Sequence, residues 1–188
     1  MHKYRSHTCA ELRKSDEGKT VRLSGWIHKI RDHGGVLFID LRDHHGVTQC
    51  VIEENSPLLE TVEKWRNESV ITITGKVTAR TPETVNSKMK TGEIEVTIDE
   101  AELQSSADVI PFLVAEDDGA GEDIRLRYRY LDLRRDRMTR NLVLRHKVIS
   151  FIRQHLSDRG FIEIETPILF KTTPEGARDY LVPSRIHA

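Results

Sequence analysis

Cysteine is scarce in this sequence, with only Cys9 and Cys50 among 188 residues. The two lie far apart and form no CxxC pair, so the spacing indicates neither a disulfide framework nor a zinc site. Such cysteine usage fits a reducing, cytoplasmic location. No apolar run approaches the length that crosses a bilayer, and the charged amino terminus lacks the apolar core of a signal peptide. We therefore expect a soluble protein with no membrane partner.

The chain also lacks a large net charge, because 29 Lys and Arg side chains nearly balance 30 Asp and Glu side chains. The distribution of charge is nevertheless uneven. Residues 99–123 contain nine acidic and no basic side chains, whereas residues 125–147 contain nine basic and two acidic ones. Such blocks usually form solvated faces. The alternative is a junction at which a basic element meets an acidic partner or the phosphates of a nucleic acid.

Short apolar runs separated by glycine turns predict a barrel in the first hundred residues. The predicted order is three strands, a helix and two more strands, with a hairpin signal at Gly34-Gly35. This order is typical of a five-stranded OB barrel, whose open face binds oligonucleotides. A small SH3-like barrel is the alternative, but the helix favours the OB fold. The predicted strands are 21–30, 36–43, 47–53, 70–80 and 93–99, and the predicted helix is 57–65.

The remainder of the chain predicts a linker followed by a helical region. Residues 100–123 have linker composition, and helical spacing of apolar residues follows over Thr139–Leu156, with Gly160 at the carboxyl-terminal cap. Residues 161–170 alternate briefly, which predicts an edge or interface strand. We therefore expect an OB barrel over residues 1–104, a hinge over 105–136 and the start of a second domain over 137–188.

Side-chain parity in the second predicted strand places an aromatic ring on its polar face. Leu37, Ile39 and Leu41 point to one side and form the core row, so Phe38 points to the other. An exposed aromatic ring can stack on an unpaired base. The alternative is a ring that a neighbouring loop covers.

The third predicted strand adds polar groups to the same face. Cys50 and Ile52 take the core row there, which leaves Gln49 facing outward near Phe38. An amide can read a base edge, and Arg31, just before the hairpin turn, adds a guanidinium for phosphate or base contact. An aromatic ring, an amide and an arginine on one barrel face predict a site that binds single-stranded nucleic acid.

The histidines near the predicted turns do not predict a metal site, because they show no recurrent ligand spacing and no cysteine accompanies them. They are His28, His33, His44 and His45. We therefore expect no metal in this chain.

Several motifs have a recognisable spacing. GW at 25–26, RDHGG at 31–35 and FIDLRD at 38–43 precede RYRYLDL at 127–133 and GFIEIETPIL at 160–169. The first three resemble the anticodon-binding barrel of class IIb aminoacyl-tRNA synthetases, and the fourth is shared by bacterial aspartyl and lysyl types. The fifth resembles class II motif 1, which builds the family's dimer interface.

One further stretch separates the members of this family. TPEGARDYLVPSR at 173–185 is similar to the mobile substrate loop of bacterial aspartyl-tRNA synthetases and unlike its lysyl or asparaginyl counterparts. The resemblance extends from about residue 4 to the end. It implies a mainly β OB-fold barrel with one helix, followed by the α+β start of a class II synthetase catalytic domain.

The resemblance also implies a function. The complete enzyme would attach L-aspartate to tRNA(Asp) through aspartyl-adenylate, using ATP and Mg²⁺, as a cytoplasmic homodimer. Because the chain ends before motifs 2 and 3, which bind ATP, we expect it to be inactive alone and to hold neither ATP nor Mg²⁺. The alternatives are a stand-alone OB-fold module that binds single-stranded nucleic acid without catalysis, and a regulator that only dimerises through the motif 1 helix.

Residue roles follow from the resemblance by matching position. Phe38 would stack on an anticodon base, and Gln49 would hydrogen-bond the same region. Glu175, on the substrate loop, would face the ammonium group of bound L-aspartate, for which a carboxylate is a suitable partner. The rest of the anticodon pocket would consist of Arg31, Arg80, Asn86 and Glu95.

Two positions bear on which tRNA is accepted. Aspartyl enzymes that are strict for tRNA(Asp) tend to have leucine where this chain has His33, and lysine near Glu83. The departure at both positions resembles non-discriminating enzymes, which charge tRNA(Asp) and tRNA(Asn). A polar His33 beside the anticodon would relax the exclusion of the wrong third base.

Overall fold

The computed structural model describes residues 3–169 and 182–186. The chain forms two compact units, residues 1–139 and residues 140–188. The strands are β1 (Thr20–His33), β2 (Val36–Arg42), β3 (Val47–Ile52), β4 (Val70–Ala79) and β5 (Ile94–Ser105). The helices are α1 (Leu59–Val62), α2 (Glu122–Arg127), α3 (Arg129–Asp132) and α4 (Asp136–Ser157), and a short 3-10 helix spans Lys14–Asp16.

The five strands close into a barrel in the order β1-β2-β3-β5-β4, and β4 pairs again with β1. All neighbours are antiparallel except β3 and β5, which run parallel. The helix α1 lies between β3 and β4 in the chain. The predicted five-stranded barrel with one helix is therefore confirmed.

Alternation along the strands fills the barrel interior. Leu37, Ile39 and Leu41 of β2 are each no more than 2% exposed, and Cys50 and Ile52 of β3 are fully buried. The predicted core rows are therefore confirmed. Burial of one large aliphatic side chain contributes about 1.5–3 kcal/mol, so a one-residue slip in register would be strongly unfavourable. The core rows thus fix which side chains of β2 and β3 face outward.

The turn between β1 and β2 depends on its two glycines. Gly34 and Gly35 have φ angles of 65° and 94°. Two consecutive positive φ angles are what a type I′ hairpin turn requires, and the predicted hairpin is confirmed. The Gly35 N–H donates to the Asp32 carboxylate at 3.0 Å, which further fixes the turn.

Two strands extend beyond their predicted ends, and α1 covers only one turn of the predicted helix. β1 continues to His33 at the hairpin turn. β5 continues past an irregularity near Asp99 as far as Ser105, with Leu103 paired to Ile71 of β4. The long β4 supplies backbone hydrogen-bonding partners for this extension, so residues 100–105 are strand rather than the predicted linker.

The acidic and basic blocks meet after the barrel. Phe112, Val114 and Leu131 form a small apolar cluster between the segment that follows β5 and α3. Beside it, Arg135 of the basic block pairs with Asp118 of the acidic block at 2.7 Å. Arg135 also lies 3.5 Å from Asp117, so this side chain links the basic block to the acidic one.

A buried ion-pair cluster ties the barrel to the segment between α3 and α4. Glu68, just before β4, is 5% exposed and has a left-handed φ of 67°. Its carboxylate accepts hydrogen bonds from Arg42 of β2 at 2.9 Å and from Arg134 at 2.7 Å. Both guanidinium groups also lie over the Trp26 ring of β1, at 5.6 and 4.9 Å from its centroid. We call these four residues the Glu68 cluster.

The second unit contains most of α4, whose apolar side chains are exposed. The helix is followed by Gly160, whose φ of 84° gives the left-handed cap that the sequence predicted. The exposed apolar side chains include Leu144, Val148, Phe151 and Ile152. Within the described ranges, no helix is long and apolar enough to span a membrane.

Residues 161–169 differ from the prediction, because they form no strand. A strand leaves its backbone N–H and C=O groups unsatisfied unless another strand pairs with it. Alternation alone does not supply such a partner. The predicted strand is therefore wrong over this part of the chain, and Phe170 lies outside the described residues.

Candidate nucleic-acid interface

Phe38 lies on the outer face of the barrel, between two strands that frame it. Its neighbours along β2 are fully or almost fully buried, whereas the Phe38 side chain is only partly buried. Across the sheet it pairs with Arg31 of β1 and with Val51 of β3. The ring is thus held by the sheet and still accessible on one side.

Polar groups next to Phe38 form a continuous chain of contacts. Asp40 of β2 accepts two hydrogen bonds from Arg31, at 2.7 and 2.8 Å. Arg31 Nη2 also donates to Gln49 Oε1 at 3.4 Å, and Gln49 Nε2 donates to Glu95 Oε2 at 3.0 Å. Glu95 lies 3.8 Å from Arg80 Nε. We call these five residues the outer-face network; together with Phe38 they span strands β1, β2, β3 and β5 and the end of β4.

The structure thus brings together Arg31, Phe38, Gln49, Arg80 and Glu95, five of the six residues that the sequence predicted for the anticodon pocket. Their roles in binding remain predictions. The network alternates in charge, so its two carboxylates offset its two guanidinium groups. Gln49 is 6% exposed, and both ends of its amide are engaged, which fixes the orientation of the amide.

Arg80 belongs to this network but has unsatisfied hydrogen-bond donors within the described part of the chain. Its side chain is only 12% exposed, and its Nε and Nη1 atoms are buried without a hydrogen-bond partner among the described residues. Buried polar groups in native proteins nearly always have partners, so these donors need an acceptor, which an ordered water or a ligand would supply. A phosphate or a base carbonyl oxygen would provide one.

His33 extends the face at the hairpin turn. Its ring is exposed and meets the Phe38 ring edge-on, with centroids 5.6 Å apart and an interplanar angle of 70°. A nucleotide stacked on Phe38 would therefore lie beside His33. The predicted role of His33 in tRNA selection stays a prediction.

The remaining predicted residues do not contribute to the hydrogen bonds of the outer-face network among the described residues. Asn86 and Glu83 are in the loop between β4 and β5, where Glu83 is exposed. Asn86 Oδ1 accepts a hydrogen bond from the Lys88 N–H at 3.1 Å, which is a bond within its own loop. Glu175, predicted to bind L-aspartate, lies outside the described residues.

The sequence assigned no role to Asp40, although it belongs to the FIDLRD motif and shares the outward parity of Phe38. The structure makes it the direct partner of Arg31. The sequence did contain a signal for this pair. Asp40 is an acidic residue at an outward position on β2, and a hairpin turn connects β2 to the strand that contains Arg31. Nothing in the spacing alone showed that this carboxylate would be largely buried.

Other titratable groups take no part in the hydrogen bonds of the outer-face network. His28 Nδ1 accepts a hydrogen bond from Arg42 at 2.6 Å, and burial, followed by the charge of Arg42, lowers the pKa of His28. Cys9 and Cys50 are free and buried, and burial raises the pKa of both thiols. Within residues 3–169 and 182–186, no group of acidic, histidine or cysteine side chains has the arrangement of a metal site.

Two protein families match separate parts of the chain. Residues 21–104 match the OB-fold nucleic acid binding domain, and residues 121–188 match the class II tRNA synthetases (D, K and N). The first match covers most of the barrel. The second begins just before α2.

Curated relatives match the chain over its whole length. The sequence is 57% identical over 187 residues to an aspartate–tRNA(Asp/Asn) ligase from Paramagnetospirillum magneticum and 59% identical to one from Sinorhizobium fredii. Each alignment covers 100% of this chain but only 21% and 31% of the two relatives. The chain therefore spans about a fifth to a third of their length.

Solved structures share the fold. The asparaginyl-tRNA synthetase from Pyrococcus horikoshii complexed with asparaginyl-adenylate superposes with a TM-score of 0.75 at 25% identity, over 86% of this chain and 36% of that one. The aspartyl tRNA synthetase from Entamoeba histolytica gives a TM-score of 0.77 at 22% identity, over 86% and 39%.

Proposed function

Because this chain belongs to the class II tRNA synthetases of the D, K and N group, we propose that the outer face around Phe38 binds the anticodon of tRNA. The observation that carries the proposal is the partly exposed Phe38 ring next to the outer-face network. An aromatic platform binds any base, whereas directed donors and acceptors distinguish one base from another. The two features together suit a short unpaired RNA segment.

Phe38 and the outer-face network would make different kinds of contact with a bound base. Stacking on Phe38 contributes about 1–3 kcal/mol for one base. Arg31 and Arg80 supply N–H donors, and Glu95 and Gln49 supply acceptors and an amide. Because these groups already pair with one another, a bound base would exchange partners with them. A base whose hydrogen-bond donors and acceptors do not match these groups would leave a buried group unpaired, at a cost of about 1–3 kcal/mol.

We further propose that the complete protein is a cytoplasmic aspartate–tRNA ligase. It would join L-aspartate to tRNA in two steps. The carboxylate of L-aspartate would attack the α-phosphate of ATP and release pyrophosphate, and a hydroxyl group at the tRNA 3′ end would then displace AMP from aspartyl-adenylate. Mg²⁺ would offset the negative charge of the ATP phosphates. Glu175 would hold the ammonium group of L-aspartate. The proposal rests on relatives named aspartate–tRNA(Asp/Asn) ligase at 57% and 59% identity.

We propose that the complete protein accepts tRNA(Asn) as well as tRNA(Asp). The relatives are named as ligases for both tRNA(Asp) and tRNA(Asn). In addition, His33 and Glu83 differ from the leucine and lysine that enzymes strict for tRNA(Asp) tend to have at these positions. The contact of His33 with Phe38 supports the proposal, because it puts the imidazole beside the predicted stacking position. An imidazole can exchange hydrogen bonds with a base, which a leucine side chain cannot do.

We propose that the complete protein is a homodimer that buries the apolar side chains of α4. Leu144, Val148, Phe151 and Ile152 are exposed in the unit formed by residues 140–188, which supports a covering surface from the rest of the protein or from a second copy. Sedimentation of the complete protein should give a dimer without added tRNA. A monomer at micromolar concentration would contradict the dimer.

The alternative is an OB module that binds any single strand. Binding of this chain to the tRNA(Asp) anticodon stem-loop and to random single strands of equal length separates the two functions. We expect the stem-loop to bind more tightly at the same salt concentration, because only its loop matches the polar network. Equal affinity for both RNAs would favour the alternative.

A further inference from the structure

Asp40 and Arg31 form a two-point ion pair that is less exposed than an ordinary surface ion pair. Both carboxylate oxygens are engaged, Oδ2 by Nη1 at 2.7 Å and Oδ1 by Nη2 at 2.8 Å. The Asp40 side chain is 12% exposed and that of Arg31 is 31% exposed. A two-point pair between planar groups fixes the orientation of the guanidinium as well as its position.

We propose that Asp40 is a positioning residue for anticodon recognition, which orients the Arg31 guanidinium toward the nucleotide that stacks on Phe38. The inference rests on the proposed anticodon function of this face. Arg31 is paired with Phe38 across the sheet, so an oriented guanidinium lies next to the ring. Asp40 acts through Arg31 and does not itself need to touch RNA.

The choice of partner around Asp40 supports this role. In the β1–β2 register, the residue opposite Asp40 is Lys29. The Lys29 ammonium is instead 2.6 Å from Glu116, in the segment after the barrel. Asp40 is thereby left with Arg31, which lies two residues beyond Lys29 on β1 and on the same face of the sheet.

The donor count of Arg31 leaves part of it free for a ligand. A guanidinium has five N–H groups. Two of them bond to Asp40 and one reaches Gln49 at 3.4 Å, which leaves two N–H groups. These two are held in the plane that the carboxylate fixes, and the partly exposed side chain makes them accessible to a base carbonyl or a phosphate.

The sign of one mutational effect separates positioning from simple charge. A carboxylate on an RNA-binding surface repels phosphates, so a bystander aspartate should weaken binding, and its removal should strengthen it. A positioning aspartate should have the opposite effect. Loss of its second acceptor frees the Arg31 side chain, and a side chain that is mobile in the free protein must be immobilised when RNA binds, which weakens binding.

The experiment measures the affinity of this chain for the tRNA(Asp) anticodon stem-loop. We expect Asp40→Asn to bind about threefold to tenfold more weakly than the wild type, the range expected for one immobilised side chain. In an Arg31→Ala background, Asp40→Asn should cause no further loss. The matched control is Asp99→Asn, which removes the same charge from an exposed position on β5 and should bind as well as the wild type or better.

Arg31→Lys supplies a second readout that does not depend on the folding of the Asp40 variant. Lysine keeps the charge but cannot form the two-point pair. Positioning predicts that Arg31→Lys binds as weakly as Arg31→Ala, whereas a role of charge alone predicts binding close to the wild type. Thermal melting of every variant identifies any that is unfolded.

The outcomes separate the inference from the function on which it rests. If the wild type fails to bind the stem-loop, the proposed anticodon function is wrong. It is also wrong if the Phe38→Ala variant binds the stem-loop as tightly as the wild type does. If Phe38→Ala weakens binding but Asp40→Asn leaves it unchanged or raises it, the positioning role is overturned. Wild-type affinity in Arg31→Lys overturns it as well.

Discussion

His28 is a titratable side chain that must stay neutral beside a buried cation. Its Nδ1 accepts a hydrogen bond from Arg42, which is possible only when that nitrogen carries no proton. Burial and the positive charge of Arg42 both lower its pKa from the ordinary value of 6.5. In the unfolded chain neither influence is present, so the unfolded state takes up a proton at a higher pH than the folded state does.

The folded chain should therefore lose stability as the pH falls below 6.5, because protons bind preferentially to the unfolded state. Urea unfolding at about pH 7.5 and about pH 5.5 measures the change. We expect His28→Gln, which keeps a neutral acceptor for Arg42, to lose less stability on acidification than the wild type. His44→Gln, at an exposed histidine, is the matched control and should behave like the wild type. Equal pH slopes for all three proteins would contradict this explanation.

At the scale of elements, the Glu68 cluster joins the barrel to the segment that leads into α4. Glu68 and Arg42 have side chains that are only 3% and 8% exposed. Removal of one member of such a pair leaves a buried charge without a partner, at a cost of about 3–5 kcal/mol. The left-handed backbone of Glu68 shows that the surroundings hold this residue firmly in place.

We predict that Glu68→Gln lowers the free energy of unfolding by about 3–5 kcal/mol, since Arg42 and Arg134 lose their shared counter-charge. The comparison variant is Glu102→Gln, which breaks the exposed Arg22–Glu102 pair and should cost at most about 1 kcal/mol. Urea denaturation of both variants measures the difference. A loss at Glu68 no larger than that at Glu102 would show that the cluster contributes little.

Features that depend only on residues close together in the sequence were predicted correctly. Alternation in β2 was sufficient to place Leu37, Ile39 and Leu41 inside and Phe38 outside, because a strand has a fixed side-chain period. The Gly34-Gly35 turn was also predictable from local sequence, because glycine readily adopts the positive φ angles of a type I′ hairpin turn. The strand predicted after Gly160 was wrong over residues 161–169, since a strand depends on a partner that no local pattern supplies.

The local residue pattern could not predict contacts between strands that are far apart in the sequence. The Gln49–Glu95 bond depends on the parallel pairing of β3 with β5, and the two residues are 46 positions apart. Only the family resemblance placed them in one pocket. The extension of β5 to Ser105 was missed for a similar reason, because it depends on the length of β4.

At the scale of the whole molecule, tRNA selection is the property that the barrel would contribute to the complete protein. We predict that the complete enzyme aspartylates tRNA(Asp) and tRNA(Asn) transcripts with similar kcat/KM. His33→Leu should lower kcat/KM for tRNA(Asn) more than for tRNA(Asp), because the leucine cannot hydrogen-bond the third anticodon base. Its control is His45→Leu, at an exposed turn histidine. A wild-type preference for tRNA(Asp) of about 100-fold or more, equivalent to about 2.7 kcal/mol, would contradict the proposal.

The most direct test of the anticodon site is the binding of the tRNA(Asp) anticodon stem-loop to wild type, Phe38→Ala and Phe161→Ala. Phe161 is an exposed phenylalanine outside the barrel and is the matched control. We expect Phe38→Ala to weaken binding by about 1–3 kcal/mol, roughly 5- to 150-fold, and Phe161→Ala to have no effect. Unchanged affinity in a folded Phe38→Ala protein would contradict the account.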